Sequence, residues 1–427
     1  MTTPEIPSLP ATTDVVVVGG GPAGSAAAMT LARGGLDVTL VDKARFPRDK
    51  FCGDGLTTGA LRRLEALGLQ PADVPSWATV HDMVLRTPAG REVVFDLPRG
   101  AGLYAAVARR RELDDALLGL ARAAGVRVVE GHAVTGATQD DDGATLDVAD
   151  LGAVRAPFVI AADGMWSPTR KLLGAAIPDY RGDWHAFRQY VRHVSPAASR
   201  ELYVSFEPDF LPGYFWSFPL AGGGANVGFG IRRGGSFRVG AMKSLWPEIL
   251  ERPHIRAFLG PDAEAEQPHR AWPIPARVDQ VTHSLGRALF VGDAAAATDP
   301  LTGEGIGQAL ATGTWAAEAI LAGAADRAGS VRARYERTVR DELVADHRMA
   351  ELLSRAMSHR KGVRVAVRLA GSTAWTRRNF ARWLFEDYPR ALIATPARWH
   401  AGMFTGPGAY RDLPATDGTD HPDEEDR

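Results

Sequence analysis

The chain of 427 residues has one cysteine, Cys52, and this scarcity excludes an internal disulfide or a metal site built from cysteine thiolates. Neither sign of charge is in excess, since the formal net charge is −2, so no global field favours nucleic acid as a partner. The eleven histidines are scattered without the spacing of a metal motif. We therefore expect no metal and no nucleic acid, and the single thiol fits a reducing compartment.

Long apolar runs and targeting signals are also missing. The N-terminus, MTTPEIPSLPATTD, has no basic segment followed by an apolar one, so we expect no signal peptide. The longest apolar stretch near it, VVVVGGGPAGSAAAMTLA, is interrupted by glycines and a proline and would make a poor membrane span. The sequence predicts a soluble, cytoplasmic protein.

A glycine-rich turn near the N-terminus joins a buried strand, DVVVV, to a helix of small residues, and LDVTLVDK follows as a second strand. In this pattern Gly19 allows the tight turn, Gly21 lets a pyrophosphate approach the backbone, and Gly24 lets helix and strand pack closely. Asp42 ends the second strand, where an acid binds a ribose hydroxyl pair and disfavours a 2′-phosphate.

The motif predicts FAD or NAD, against the alternative of a glycine turn without a ligand. Its predicted cofactor contacts are Gly19, Gly21, Pro22, Ala23, Gly24, Asp42 and Lys43.

A second glycine-rich stretch, GDAAAATDPLTGEGIGQAL, follows the predicted strand ALFV. Asp293 at the strand end suits a ribitol hydroxyl, and Pro300 redirects the chain. Gly303 and Gly305 let the backbone approach a planar ligand at the start of a helix, and the helix N-terminus favours negative charge. Ile306 is a further predicted cofactor contact. Alone, the stretch is equally an aspartate cap with a glycine loop. Two such sites about 270 residues apart fit one extended FAD better than NAD.

Two further pairs are ambiguous. Arg110 and Asp114 open a predicted helix, where the arginine would reach FAD, but their i,i+4 spacing alone favours a surface ion pair. Asp163 and Gly164 end the buried strand FVIAADG, either as a turn on the cofactor side or as a plain strand end. Arg110, Val134, Asp163 and Gly164 are also predicted cofactor contacts.

The elements come in separate blocks, and β-rich segments with period-two alternation interrupt the dinucleotide-type ones. The predicted fold class is α/β, a Rossmann-like FAD-binding domain interleaved with a β-sheet substrate domain and followed by a helical C-terminal region. We predict a discontinuous FAD-binding domain at 1–65, 100–178 and 280–330, a β-rich substrate domain at 66–99 and 179–279, a helical region at 331–413 and a disordered acidic tail at 414–427.

With these motifs the sequence resembles the geranylgeranyl reductase family, within the flavoprotein group of the aromatic hydroxylases (group A monooxygenases) and flavin-dependent halogenases. The matching stretches cover the first three-quarters of the chain: VVVVGGGPAGSAAA, FPRDKFCGDGLT, RRELD, VIAADGMWSPTR, LPGYFWSFPLAGGGANVGFG and VGDAAAATDPLTGEGI. The first and last indicate FAD, whereas KFCGDGLT and YFWSFP point to the reductase branch. The chain departs from the usual pattern at Ala296 and Asp299, where glycine and asparagine are more common.

The resemblance implies an FAD-dependent reductase that saturates C=C bonds of an isoprenoid substrate, such as a geranylgeranyl chain, a prenylated quinone like menaquinone, or a prenyl lipid. Hydride from reduced flavin would reach one carbon and a proton the other, so the protein contributes positioning and water exclusion. The electrons would come transiently from NAD(P)H or a ferredoxin, since the sequence has no second nucleotide fold.

An aromatic strand is expected to cover the flavin. Tyr214, Trp216 and Phe218 alternate on one face, followed by Pro219, with Asn226 on the neighbouring strand. By itself the pattern favours the core face of a sheet. The resemblance instead implies an apolar substrate tunnel lined by these residues.

The run FPRDKFCGDGLT leads from the second strand toward the middle of the FAD. The resemblance places Cys52 and Gly53 beside the isoalloxazine ring, and Arg48 and Lys50 are expected to lower the pKa of the thiol. The alternative is a small residue buried in a tight turn. The catalytic candidates are Cys52, Tyr214 and Trp216.

Oxygen chemistry is the main competing function: an FAD-dependent monooxygenase, a hydroxylase more than a halogenase, acting on a hydrophobic or aromatic natural product. Halogenases generally carry W-x-W-x-I-P and a lysine over a tunnel. This chain has Y-x-W-x-F-P and no lysine in the sheet segment before Lys243. An electron-carrying flavoprotein without such turnover is a third class.

The last quarter contains a basic stretch, with eight Lys or Arg and no acid between Leu352 and Phe385. A basic segment interleaved with apolar and aromatic residues suits an anionic membrane surface, and predicts peripheral contact at the inner face of the membrane. The alternative is a solvated helix face that balances the acidic tail or packs on the FAD-binding domain. The basic residues are Arg355, Arg360, Lys361, Arg364, Arg368, Arg377, Arg378 and Arg382.

Overall fold

The computed structural model describes residues 9–235, 237–323 and 328–412, and the tail predicted at 414–427 lies outside these ranges. The described strands are β1 (Val15–Val18), β2 (Val38–Asp42), β3 (Gly55–Thr57), β4 (Ala78–Thr79), β5 (Asp82–Arg86), β6 (Glu92–Asp96), β7 (Ala105–Val107), β8 (Arg127–Glu130), β9 (Val134–Gln139), β10 (Ala144–Val148), β11 (Gly152–Ala156), β12 (Phe158–Ala161), β13 (Trp184–Arg192), β14 (Leu202–Ser205), β15 (Tyr214–Leu220), β16 (Gly224–Arg232), β17 (Glu264–Ala265), β18 (Arg270–Ile274), β19 (Ser284–Leu285) and β20 (Ala288–Phe290).

The structure describes eleven α-helices, and a π-helical turn at Arg340–Val344 joins the eighth to the ninth. They are α1 (Pro22–Arg33), α2 (Thr58–Ala66), α3 (Arg110–Ala123), α4 (Pro168–Leu172), α5 (Met242–Leu250), α6 (Pro253–Leu259), α7 (Ile306–Gly323), α8 (Ala328–Val339), α9 (Ala345–Ala356), α10 (Arg360–Ala370) and α11 (Ala374–Leu384).

A mostly parallel sheet carries the first glycine-rich turn. Its order is β19–β20–β12–β1–β2–β8, with parallel neighbours except for the antiparallel β19–β20 pair. Strand β1 is buried along its length, because valine fills both covered faces of a parallel sheet. The carboxyl ends of these strands lie at one edge, so Gly19, Asp42 and Asp293 meet there although they are far apart in the sequence.

Helix α1 packs closely against the glycine turn, and α7 packs closely against α1, because the contacting residues are small. A Cβ on Gly24 would lie 1.7 Å from the carbonyl oxygen of Gly19, and one on Gly313 would lie 2.1 Å from that of Ala23. The small-residue composition of both helices therefore sets the depth of the α1 N-terminus at the glycine turn.

A second, larger sheet supplies the other wall of the molecule. Strands β17 and β18 pair with one edge of β13, and the order continues β13–β16–β15–β14–β5–β6. Its pairs are antiparallel except for the parallel β14–β5 pair, so of the two forms that the period-two alternation allows, mixed or antiparallel, the sheet is mixed. Along β15, Phe215 enters an apolar cluster with Trp246 of α5, while the alternate residues Tyr214, Trp216 and Phe218 face the opposite side.

Two smaller sheets, β3–β7–β4 and β9–β10–β11, and the C-terminal region complete the fold. The C-terminal region returns to the body: the backbone N–H of Thr58 donates to the carbonyl of Phe385 at 2.8 Å, and the Tyr410 hydroxyl donates to the carbonyl of Leu69 at 2.9 Å. Among the described helices, none combines the length and the apolar character needed to cross a bilayer. The α/β class with an interleaved sheet is confirmed, and the exact domain boundaries stay a prediction.

Candidate active site

A cleft of about 770 Å³ runs from the carboxyl edge of the parallel sheet to strands β15 and β18 of the larger sheet. The sequence-predicted residues on its wall are Gly19, Gly21, Pro22, Ala23, Asp42, Lys43, Cys52, Gly53, Arg110, Val134, Asp163, Gly164, Tyr214, Trp216, Phe218, Asp293, Gly303, Gly305 and Ile306. The remaining predicted residues are buried and do not line the cleft: Gly24, Pro219, Asn226 and Pro300. The fold therefore brings most of the predicted site together.

The first glycine-rich turn forms one end of the cleft. Gly19 has a φ of +106°, and a Cβ there would lie 2.4 Å from the carbonyl oxygen of Ala162, so this position requires glycine. Asp42 accepts bonds from the N–H groups of Gly20 and Ala44, both at 2.7 Å, which fixes its carboxylate at the end of β2. Helix α1 starts without a side-chain cap or an acid in its first turn, and its amide N–H groups are left for an anion.

Two arginines stand at the start of α1. The Nη2 atoms of Arg48 and Arg110 lie 3.7 and 3.8 Å from the place that a Cβ of Gly21 would take. Asp114, which is fully buried, accepts from Arg110 at 2.7 and 2.8 Å and from Arg48 at 2.7 Å. Two guanidinium groups against one carboxylate leave a positive charge for a diphosphate.

Burial disfavours the charged forms of Arg110 and Asp114, but their ion pairing has the larger effect on both pKa values. The pKa of Arg110 is raised because Asp114 outweighs the cost of burial. The pKa of Asp114 is lowered, although burial acts to raise it, because Arg110 and Arg48 both stabilise the carboxylate. The surface ion pair favoured by spacing alone is therefore wrong: the pair is internal and borders the cleft.

The second glycine-rich loop forms the opposite end of the cleft. Asp299, which stands where asparagine is more usual, accepts from the backbone N–H of Leu301 at 3.0 Å and of Thr302 at 2.7 Å. Gly303 follows with a φ of +73°, and α7 begins at Ile306. The aspartate therefore holds the turn, and the loop presents its backbone to the cleft.

Asp163 and Gly164 combine the two uses that the sequence left open. Asp163 accepts from the Ser167 hydroxyl at 2.5 Å and from the Thr169 N–H at 2.9 Å, so it shapes the turn into α4. Both residues also line the cleft. Burial raises the pKa of the Asp163 carboxyl.

The predicted aromatic row is a continuous wall of the cleft. The ring centroids of Tyr214 and Trp216 are 6.2 Å apart, as are those of Trp216 and Phe218. The Tyr214 hydroxyl donates to the carbonyl of Thr302, which ties the wall to the second glycine-rich loop. The Trp216 indole donates to Asn226 Oδ1 at 3.1 Å, so Asn226 orients the wall from behind.

Cys52 lies in the cleft wall, and the residue after it adjoins these aromatic rings. A Cβ on the next residue, Gly53, would lie 3.4 Å from the Phe218 ring and 3.7 Å from the Trp216 indole nitrogen. Burial raises the pKa of the Cys52 thiol to about 11, with Arg110 acting in the opposite direction. The expectation that neighbouring cations lower this pKa is therefore wrong, and the residue is a neutral thiol at physiological pH.

The sequence interpretation missed Asp54, two positions after the cysteine. It is fully buried, has a φ of +65°, and lines the cleft. Its Oδ2 accepts from the Tyr190 hydroxyl at 2.6 Å and from Asn226 Nδ2 at 2.8 Å. Burial raises its pKa to about 6, against the opposing effect of Arg188. The signal was an aspartate between two glycines.

Lys50 was also missed as a cleft residue. Its ammonium lies 4.4 Å from the centroid of the Trp272 ring, and burial lowers its pKa. The sequence comparison with halogenases considered lysines of the sheet segment only. Lys50, from another segment, does line the cleft. The Y-x-W-x-F-P motif is therefore the one remaining difference between this chain and the halogenase pattern.

A pair of carboxyl groups, from Glu304 and Glu386, was not foreseen. Glu304 lines the cleft, is 8% exposed, and accepts from the Gly307 N–H at 2.7 Å. Glu386 follows α11 and accepts from Gln308 Nε2 at 2.7 Å. Burial raises the pKa of both, and each carboxylate would repel the other. Only the three-dimensional fold joins the C-terminal glutamate to the glycine-rich loop.

The residues present fit FAD. The N-terminus of α1 and the two arginines beside it suit the diphosphate, and Asp42 suits a ribose. The backbone of the second glycine-rich loop and the aromatic wall suit the planar flavin ring. Among the described residues, no group of three or more His, Cys, Asp or Glu side chains is placed to hold a metal ion.

Comparisons with known proteins agree with this geometry. A sequence profile of the family described as FAD binding domain matches residues 12–347. The menaquinone reductase of Mycolicibacterium smegmatis is 35% identical over 343 residues, covering 73% of this chain and 76% of that protein. The digeranylgeranylglycerophospholipid reductase 1 of Methanopyrus kandleri is 32% identical over 369 residues, covering 80% and 90%.

Solved structures show the same fold. A geranylgeranyl bacteriochlorophyll reductase-like protein from Thermoplasma acidophilum superposes with a TM-score of 0.75 at 23% identity, covering 91% of this chain and 99% of that one. The halogenase PltM superposes with a TM-score of 0.68 at 18% identity, covering 92% and 85%. The chain thus belongs to the FAD-binding-domain family and is an FAD-dependent oxidoreductase of the geranylgeranyl reductase type.

Proposed function

We propose that this protein saturates C=C bonds in the isoprenoid chain of a lipid, a diphosphate or a quinone, using FAD as the hydride carrier. One observation carries the proposal. The cleft extends from the first glycine-rich turn, past the second glycine-rich loop, along the wall of Tyr214, Trp216 and Phe218. An unactivated alkene offers no polar handle, so an apolar aromatic wall is the surface that orders it. The two relatives are named for substrates that carry isoprenoid chains.

The division of labour follows from the residues. Arg48, Arg110 and the α1 N-terminus would hold the diphosphate, and Asp42 the adenosine ribose. FAD supplies the hydride chemistry when bound. The protein holds the chain against the aromatic wall and excludes water from it. Cys52, as a neutral thiol, contributes a polarisable contact to the alkene and no negative charge.

An anaerobic assay tests this proposal. The holoenzyme is reduced with dithionite and offered geranylgeranyl diphosphate, a prenylated naphthoquinol and a digeranylgeranyl ether lipid. The quinone is supplied as its quinol so that only its side chain can accept electrons. We expect a mass gain of two hydrogens per saturated bond in at least one substrate. Product formation only after oxygen is admitted would refute the reductase function.

The same assay measures the competing functions. Oxygen-dependent hydroxylation, or halogenation when bromide is added, would assign the cleft to oxygen chemistry, with Lys50 as the first residue to examine. Flavin oxidation and reduction without any changed substrate would indicate an electron carrier. Comparing NADH, NADPH and reduced ferredoxin as reductants in the same vessel identifies the electron donor, which we propose binds only transiently.

We also propose that the cytoplasmic protein meets an anionic membrane surface through α10 and the start of α11. Val365, Leu369 and Trp375 are 52%, 65% and 68% exposed. Exposed basic residues alternate with them: Arg360, Lys361, Arg364, Arg368 and Arg378. Arg382, by contrast, is buried against Asp387, so it belongs to the interior rather than to this surface.

An exposed apolar stripe flanked by cations suits the headgroup boundary of a bilayer. We expect the protein to pellet with vesicles of phosphatidylglycerol and to release when Arg364 and Arg368 are both changed to Glu. Arg155→Glu, a charge reversal at a partly exposed arginine outside α10 and α11 that pairs with Asp140, is the control. Equal pelleting of all three proteins would remove the membrane proposal.

A further inference from the structure

The carboxyl groups of Asp299, Glu304 and Glu386 interact near the second glycine-rich loop, and the buried Arg390 pairs with two of them. Arg390, which is 4% exposed, pairs with Asp299 at 3.3 Å and with Glu386 at 3.3 Å. Glu304 forms no ion pair among the described residues, and it accepts from the backbone N–H of Gly307. One guanidinium cannot neutralise three buried carboxylates, so the cluster retains a proton.

The hydrogen-bond partners decide which carboxyl holds that proton. Glu386 accepts from Gln308 at 2.7 Å, from Arg390 at 3.3 Å and from the Thr57 hydroxyl at 3.3 Å, and these donors favour its ionised form. Glu304 has no side-chain donor of this kind among the described residues. The proton therefore resides mainly on Glu304, the carboxyl that lines the cleft.

We propose that Glu304 is the proton donor for alkene reduction in this cleft, and that Glu386 of the C-terminal region passes it a new proton from solvent after each turnover. This inference rests on the proposed reductase function. Glu386 is partly exposed, whereas Glu304 is buried and lines the cleft, so the pair can lead a proton from solvent to the cleft. It gives the last quarter of the chain a part in the chemistry.

In the proposed step, Glu304 donates a proton to the alkene. The O–H bond of Glu304 breaks, and its proton forms a C–H bond at one alkene carbon with the electron pair of the π bond. Reduced FAD, when bound, would supply a hydride to the other carbon and be oxidised, so two C–H bonds would replace the C=C bond. Glu304 is left as a carboxylate, and a proton from water restores it by way of Glu386.

The other acids of the cleft are less suitable. The pKa of the Cys52 thiol is about 11, so its proton is held too firmly, and the Tyr214 hydroxyl is engaged with the carbonyl of Thr302. Asp54 has a pKa of about 6 and is mostly ionised at neutral pH. Burial and repulsion from Glu386 raise the pKa of Glu304 to about 8, which keeps it protonated yet able to release its proton.

The charged and titratable groups around Glu304 set its pH response. Glu386 and Asp299 raise its pKa by repulsion, and Arg390 reduces that effect by neutralising them. Since the acid form is the donor, the rate of alkene reduction should fall as pH rises through about 8. The titratable groups that interact with Glu304 are Cys52, Tyr214, Asp299 and Glu386, and the cations Arg63 and Arg390 interact with Glu386.

The test compares wild type with Glu304→Gln, Glu386→Gln and the control Glu318→Gln, an exposed glutamate on α7. Each reduced holoenzyme is mixed anaerobically with the substrate panel across a series of pH values. We expect Glu304→Gln to be at least about 100-fold slower with normal FAD content. Glu386→Gln should be active at low pH. Its rate should fall at a lower pH than that of wild type, because the repulsion that raises the pKa of Glu304 is removed. The control should match wild type.

A second readout does not depend on activity. In the oxidised holoenzyme, the infrared C=O band of a protonated carboxyl should disappear as the pH passes about 8, and this band should be missing in Glu304→Gln. An unchanged band in that variant would overturn the inference.

The activity results separate the two proposals. If wild type reduces the panel and both glutamine variants match its rate and pH profile, this inference falls and the reductase function stands. If wild type reduces none of the substrates, both fall together.

Discussion

The packing of α1 on the glycine turn gives a sharp prediction for Gly24→Ala. The added Cβ would lie 1.7 Å from the carbonyl oxygen of Gly19, where ordinary contact needs about 3.5 Å, so α1 must move by roughly 1.5 Å or more. The neighbour is backbone and cannot rotate away. We expect a loss of about 2–3 kcal/mol of stability and at least about tenfold weaker FAD binding, since the helix N-terminus moves with the helix.

Gly119→Ala is the matched control. Gly119 also lies inside a helix, α3, and nothing stands within 4 Å of its Cβ position. Neither glycine has a positive φ, so backbone strain is the same for both substitutions. Alanine at position 119 should stabilise the protein by about 0.5–1 kcal/mol through helix propensity. Thermal unfolding of the apoproteins and FAD titration by flavin fluorescence measure the two effects. Wild-type melting and FAD affinity in Gly24→Ala would refute the packing argument.

Three further predictions concern the buried ionisable groups of Asp114, Cys52 and Glu304. Asp114→Asn leaves Arg110 and Arg48 without a buried anion, so we expect about 3 kcal/mol of lost stability in thermal melts; a melt like wild type would contradict the internal pairing. Iodoacetamide should alkylate Cys52 very slowly at neutral pH and faster as pH rises toward about 11, and rapid labelling at neutral pH would show a lowered pKa instead. Glu304→Gln should melt at a higher temperature than wild type by a margin that grows between pH 4.5 and about 8, because the folded wild type keeps a proton that the unfolded chain releases; a constant margin would contradict the raised pKa.

Much of the cleft end that the first glycine-rich turn forms could be predicted from the sequence. The spacing of Gly19, Gly21 and Gly24 between a valine strand and a small-residue helix is a local pattern, and backbone geometry follows from it directly. The alternation of Tyr214, Trp216 and Phe218 likewise fixed a common face before any contact was known. Local periodicity carries this information because neighbouring residues on one element share their orientation.

Charge states were not predictable in the same way. The arginine and lysine near Cys52 in the sequence suggested a lowered thiol pKa, but burial dominates and raises it. Similarly, the i,i+4 spacing of Arg110 and Asp114 suggested a surface pair that the fold buries. Desolvation depends on every element packed around a group, and no short window of sequence reports it.

The amino-acid sequence by itself determined the α/β class, the two glycine-rich loops and the aromatic strand, because each is written in local spacing. The tertiary structure alone decided that Asp54, Lys50 and Glu304 line one cleft, and that Glu386 reaches it from the end of the chain. Long-range pairing sets those meetings: β1 lies between β2 and β12, and the segment after α11 packs on α2. The acid–base chemistry of the site therefore depends on contacts between residues far apart along the chain.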